Sequence, residues 1–285
     1  MESLPSRTLP TLVPLAVALV FVVLQLLLTG EQNMIVAGVC IALLGIPHGA
    51  LDLHMITGRA QRTIELGIYL FSIALVIAGW MIAPTIMLGF FLLNSAWHFG
   101  DCDLQMTSRW KAPLAMVYGL AMLVVLIDPA DPSVSWIIAQ LTSTSIEVVQ
   151  EFSSRSVRLL AGAIILFVPF AQARSTWVQS LLRSSCIVVV AALTSSLIAF
   201  TFYFAMIHAF TSMNALRYYM QTDTPWTWTQ LVKAAAPLTL VSLVGIGAGG
   251  FFIPSMSLLS LLFIALSALT LPHSRLFHRV YVGRA

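Results

Sequence analysis

Charge is what this sequence has least of. Only 9% of its 285 residues are Asp, Glu, Lys or Arg, against about 25% in a soluble globular chain. A folded surface so poor in charge cannot face water, so the solvent of this chain is lipid. The net charge of +3 is small and the basic residues are scattered singly, which excludes a basic face for nucleic acid. Cysteine is scarce as well. Cys40, Cys102 and Cys186 are odd in number and lie in or beside apolar segments, so they read as buried thiols with no disulfide framework. Phosphate-binding loops, hydrolase motifs and the clustered His-x-x-His-His boxes of membrane desaturases are absent, and so are internal repeats and low-complexity segments.

Apolar residues fill the space that charge leaves. They make up 59% of the chain, with a mean hydropathy of +0.94. A membrane span needs about 20 apolar residues, and in hydrocarbon only helices and closed barrels satisfy the backbone. The apolar runs are continuous rather than alternating, which selects helices. The expected fold class is therefore all-α, a polytopic membrane helix bundle forming one integral membrane domain. Expected spans are Leu9–Leu28, Met34–Met55, Ile64–Ile82, Thr85–Phe99, Ala112–Ile127, Val157–Gln172, Ser184–Tyr218, Val232–Gly247 and Pro254–Leu271. Arg7 precedes the first run, but Thr29-Gly30-Glu31 is a poor cleavage site. Residues 1–30 thus read as a retained extra helix ahead of a bundle over 31–285. Between Asp128 and Ser156 the chain is too polar to span. It opens with the turn signal Asp128-Pro129-Ala130-Asp131-Pro132 and continues as an interfacial helix.

The run Ser184–Tyr218 is too long for one straight span, and the charges decide how to divide it. With a cytoplasmic N-terminus, Arg7, Arg59, Arg62, Arg109, Lys111, Arg174 and Arg183 fall inside, while Glu31, Asp128, Asp131, Glu147 and Glu151 fall outside. This obeys the positive-inside rule, with Arg155 and Arg158 as exceptions. Splitting the long run near Thr194-Ser195-Ser196 also places Arg217, Lys233, Arg275, Arg279 and Arg284 inside. The expectation is about ten segments, or about 8–10 transmembrane segments allowing for short re-entrant ones, in the cell (inner) membrane with both termini cytoplasmic.

Ionisable residues within such segments are costly and mark function; here they are mostly histidines. His48 lies in Gly45-Ile-Pro-His-Gly-Ala-Leu-Asp52, His98 in Asn94-Ser-Ala-Trp-His-Phe-Gly-Asp-Cys-Asp103, His208 in Phe202-Tyr-Phe-Ala-Met-Ile-His208, and His273 in Thr270-Leu-Pro-His273. His54 and His278 lie nearer segment ends. Under the split topology the four share one depth; without the split, His208 and His273 would sit on the opposite side. Several neutral imidazoles at one depth suit a first-row metal, so His48, His98, His208 and His273 are the candidate ligands. A ligating histidine usually passes its second N–H to a carboxylate or carbonyl. Asp52, four residues after His48, and Asp101 and Asp103, just after His98, are candidates for that role. Pro47 and Pro272 each precede a histidine and loosen the helix there. Trp97, Phe99, Tyr203 and Phe204 surround these positions and either pack the helices or line a tunnel for a rigid polyene. Trp226 and Trp228, beside Pro225, read as interface anchors.

At these motifs the chain resembles the membrane β-carotene dioxygenases related to the bacteriorhodopsin-associated protein, the Brp/Blh family. The resemblance runs in order from about Gly45 to the C-terminus. It rests on Gly45-Ile-Pro-His-Gly-Ala-Leu-Asp52, His98-Phe-Gly followed by Asp103, Tyr203-Phe-Ala-Met-Ile-His208 and Ala268-Leu-Thr-Leu-Pro-His273. It implies a histidine-bound non-haem Fe(2+) and O2-dependent cleavage of the central 15,15′ double bond of β-carotene to retinal. His48, His98 and His208 match three histidines proposed as iron ligands in the family. The chain departs from the pattern at Ser212, where the family places a further histidine four residues after the one at His208; a hydroxyl there is a poor iron ligand and falls among the supporting residues. The expected partners are β-carotene or a related carotenoid, O2 and membrane lipid. No side chain need act as general base. The rival readings are a divergent carotenoid- or retinal-binding membrane protein that assists a rhodopsin or photosynthetic complex, and a bis-histidine haem protein.

Overall fold

The computed structural model describes residues 12–56, 58–104, 110–172, 177–220 and 225–279. Among the described residues the chain is helical and contains no strand. Arg7, Arg109, Arg174 and Arg284, which carry part of the charge argument, lie outside the described residues. Helix α1 (Leu12–Leu27) is followed by α2 (Gly30–Cys40), a π-helical turn (Ile41–Gly45), the short α3 (Ile46–Gly49) and a 3₁₀ turn (Asp52–Met55). Next come α4 (Arg59–Ile82), α5 (Pro84–Asp103), α6 (Lys111–Leu126), α7 (Pro132–Thr142), α8 (Ile146–Gln150), α9 (Arg155–Phe167) and α10 (Trp177–Leu193). Helix α11 (Ser196–Thr201) runs through a second π-helical stretch (Phe202–Ala209) into α12 (Phe210–Tyr219), followed by α13 (Trp228–Phe252) and α14 (Leu258–Phe277).

Gly30–Met55, Arg59–Ile82, Ser196–Tyr219, Trp228–Phe252 and Leu258–Phe277 are long and apolar enough to cross a membrane, and three shorter apolar helices accompany them. The chain is an all-α membrane helix bundle, as its composition requires. The long run divides where expected, because α10 stops at Leu193 and a new helix starts at Ser196. The first half begins at Trp177, seven residues earlier than the apolar run, so it is a helix of 17 residues. The polar stretch after Asp128 forms two short helices instead of one, each with its own N-cap. Asp131 accepts from Ser133 N–H and Ser145 from Val148 N–H. Of the three free thiols, only Cys186 is buried; Cys40 and Cys102 are partly exposed.

The chain packs as two compact units. The first is built from Cys40–Phe91 and from Ala209 onward. In it α14 packs along α4 and α13, and α3 packs against α12, α13 and α14. The Trp80 indole donates to Ser267 at 3.0 Å. Ala50, Leu51, Met55, Ile56, Leu216, Leu231, Ala235 and Leu276 form a common apolar cluster. Glu65, buried on α4, accepts from Arg275 at 2.9 Å, Arg279 at 2.5 Å and Gln61 at 3.0 Å. An ionised carboxylate in an apolar setting needs such partners. Trp228 stacks on Phe210 at 4.9 Å with the Arg217 guanidinium 4.6 Å from its ring, so this indole also has protein partners.

The second unit comprises Thr8–Val39 and Leu92–His208. Here α6 packs along α9, and α10 lies against α1, α6, α9 and α11. The break between α10 and α11 frees backbone N–H groups that hydrocarbon cannot satisfy. Side chains take their place: Gln25 of α1 accepts from Ser195 N–H at 3.0 Å, and Asp131 accepts from Ser196 N–H at 2.9 Å. Arg158 pairs with Asp128, which also accepts from Ser153 at 2.6 Å. Within this unit α5 and α6 meet backbone to backbone. A Cβ on Gly100 would lie 1.8 Å from the Ala115 carbonyl oxygen, and one on Gly119 1.8 Å from that of Ala96. Ala96 and Gly100, like Ala115 and Gly119, are four residues apart, so each helix presents a small-xxx-small face to the other.

Gly119→Ala must push α6 from α5 and is expected to destabilise by about 1–3 kcal/mol or more. Gly67→Ala, where a Cβ meets nothing within 4 Å, is expected to be neutral or mildly stabilising through helix propensity. Thermal unfolding of the two variants in one detergent checks this; equal melting temperatures would contradict the close α5–α6 contact.

Candidate metal centre

The residues around His48 form a sequence of unusual turns. The Ile46 N–H bonds the Ile41 carbonyl, closing a π turn, and Pro47, which has no N–H, follows in the first turn of α3. Such π turns recur at functional sites. His48 is buried at 6% exposure, and its Nδ1 contacts the Gly45 carbonyl. A carbonyl only accepts, so Nδ1 carries the proton and Nε2 keeps the lone pair that a metal requires. In the same unit His273 donates from Nδ1 to Asp52, at 2.8 and 2.9 Å from the two carboxylate oxygens. The Tyr69 hydroxyl donates to the same carboxylate at 3.1 Å. The His48 and His273 rings stand edge to face, with centroids 4.8 Å apart and planes at 85°. Ser212 is buried on α12.

The second unit holds the other two histidines. His98 and His208, at 4% and 1% exposure, have ring centroids 5.0 Å apart at 78°. His208 sits near the end of the π-helical stretch Phe202–Ala209. Phe99 lies 4.9 Å from it edge-on, and Phe204 stacks nearly parallel at 6.1 Å. Tyr203 is fully buried and meets Phe99 at 5.1 Å. Its hydroxyl donates to Asp103 at 2.9 Å. Arg183 stands 3.6 Å from the other Asp103 oxygen. The neighbouring Tyr118 and Ser184 hydroxyls share a hydrogen bond at 3.2 Å. Asp101 pairs with Lys111 at 3.0 Å. The Cys102 sulfur lies 3.7 Å from His98 Nδ1, and Trp97 is half-buried beside them.

The four sequence-identified histidines are all buried, and within each unit they occur as a touching pair. The pairing of His98 with His208, and of His48 with His273, is what the divided long run requires. Asp52 supports a histidine, though it is His273 rather than the nearer His48. The contacts seen for Asp101 and Asp103 lead to Lys111, Tyr203 and Arg183. Sequence reasoning passed over Glu65, Tyr69 and Tyr118 as polar residues inside spans. Glu65 carried the same signal as the histidines, an ionisable group in an apolar run.

Within each unit the paired imidazoles are buried, and imidazole is a nitrogen donor of the kind that suits a first-row transition metal. No curated protein and no solved structure gives a significant match to the chain. The family model described as beta-carotene 15,15′-dioxygenase matches residues 39–281, leaving α1 and most of α2 outside. That match takes in all four histidines and their carboxylates, and the chain belongs to the β-carotene 15,15′-dioxygenase family.

Proposed function

We propose that this chain splits the central double bond of β-carotene, or of a closely related carotenoid, with O2, at a non-haem Fe(2+) held by His48, His98 and His208. The observation that carries the reading is the buried His98–His208 pair walled by Phe99, Tyr203 and Phe204, within a chain of this family. Three protein nitrogens leave open positions at a catalytic metal. Bound there, iron would supply the O2 activation that the reaction needs. The chain's own residues do the rest. The Gly45 carbonyl keeps the proton of His48 on Nδ1, which leaves on Nε2 the lone pair that a metal takes. The aromatic rings exclude water and offer flat apolar faces to a polyene. The reaction adds both oxygen atoms of O2 to the two carbons of one C=C bond and yields two aldehydes. No proton is gained or lost, which agrees with the lack of a general acid or base. A carotenoid dissolved in the bilayer reaches a site at membrane depth laterally. The charge distribution favours an inner-membrane protein with both termini cytoplasmic.

Ser212 favours a second reading, a family member that binds a carotenoid or retinal without cleaving it, in company with a rhodopsin or photosynthetic complex. The serine stands where the family pattern has a further histidine, and its hydroxyl is a weak ligand for iron. Expression in β-carotene-producing cells separates the two. The enzyme reading expects loss of colour and accumulation of retinal, abolished in His208→Ala. Retinal formation that persists in His208→Ala contradicts the ligand assignment, and carotenoid retained unchanged by the wild type supports the binding reading. With 18O2, retinal is expected to carry the label. In an active enzyme Ser212→His tightens iron while changing turnover only modestly, because three imidazoles already suffice; a wild type inactive until Ser212→His is introduced contradicts that sufficiency.

A further inference from the structure

His273 is anchored by a buried carboxylate. Its Nδ1–H donates to both oxygens of Asp52, at 2.8 and 2.9 Å, and the Tyr69 hydroxyl also donates to Asp52, at Oδ2, at 3.1 Å. Asp52 and His273 are both buried. The ring cannot turn without breaking a charge-assisted bond away from water. Against this fixed ring stands the His48 imidazole, 4.8 Å away and nearly perpendicular. His273 also covers the residue after His48: a Cβ on Gly49 would touch its Nδ1 at 3.6 Å. His48 is therefore held on one edge by the Gly45 carbonyl and flanked by a ring that is itself locked.

We infer that His273 is a positioning residue: Asp52 and Tyr69 lock its ring, and the locked ring holds the His48 imidazole in the orientation that presents Nε2 to the metal. The inference rests on the iron reading proposed above, and it gives His273 a role different from the ligand role expected from sequence. A ligand that can swing must be ordered each time metal binds. Removing the flanking ring leaves a gap into which His48 can rotate. Support of this kind, acting through a ligand, is worth about tenfold to a hundredfold in metal affinity.

The test uses purified full-length protein loaded with Co(II), whose visible ligand-field bands report coordination number through their intensity and ligand geometry through their position. His98→Ala provides the spectrum of a site that has lost one imidazole. His273→Ala is expected to bind cobalt with unchanged stoichiometry and band intensity. Its bands should move, and its affinity should fall about tenfold to a hundredfold. Tyr69→Phe, which removes one of the two hydrogen-bond partners seen on Asp52, shifts both in the same direction by less. Wild-type affinity and spectrum in His273→Ala overturn the inference, and so does a His273→Ala spectrum matching His98→Ala, which would make His273 a ligand. If His273→Ala fails to fold, Tyr69→Phe decides alone: a shifted spectrum supports the inference and an unchanged one overturns it. Wild-type protein that takes up neither cobalt nor iron overturns the iron reading itself, and this inference with it.

Discussion

In hydrocarbon a polar atom has no water to return to, and each one must find its partner within the protein. This constraint accounts for most of what is distinctive in the chain. Where α10 ends and α11 begins, the freed N–H groups are taken by Gln25 and Asp131. Where Glu65 enters a span, Arg275 and Arg279 close on it. Asp103 gathers Tyr203 and Arg183, and Asp52 gathers His273 and Tyr69. These groups hold helices distant in sequence to one another, and Asp52 also anchors His273.

The histidines stand where the helices are least regular. His48 follows one π turn and His208 lies in another. A π turn alters the angle at which the following side chains leave the helix, which lets a long apolar helix aim one imidazole without breaking its hydrogen-bond ladder. Close approach serves the same end on α5. Ala96 and Gly100 let the backbone of α6 come into contact, and His98 lies between them in sequence. An aromatic ring of Phe99 or Phe204 then packs directly on His208, so the imidazole is oriented by apolar contact as well as by its backbone.

Much of this was legible in the sequence. Low charge required lipid and hence helices, and the charge bias along the chain required a break near Thr194-Ser195, where it is found. Four histidines in apolar runs were visible because such residues are rare there. The small-xxx-small pairs were legible in principle, since Ala96-x-x-x-Gly100 and Ala115-x-x-x-Gly119 are both present, but the motif alone does not say which two helices meet. The π turns were not legible, because no residue pattern specifies an extra residue in a turn. The carboxylate partners were hidden for a different reason. Asp52 finds His273 and Glu65 finds Arg275 across more than two hundred positions, whereas its sequence neighbour suggested His48 for Asp52.

The proposal on which the functional reading turns is that three buried imidazoles hold one iron. The most direct measurement is metal analysis of the purified protein together with iron X-ray absorption. The account predicts about one iron per chain, an edge and scattering pattern of a histidine-nitrogen site with open positions, and no Soret band. Protein that carries no transition metal after iron loading, or one whose iron comes with a Soret absorption, would contradict it.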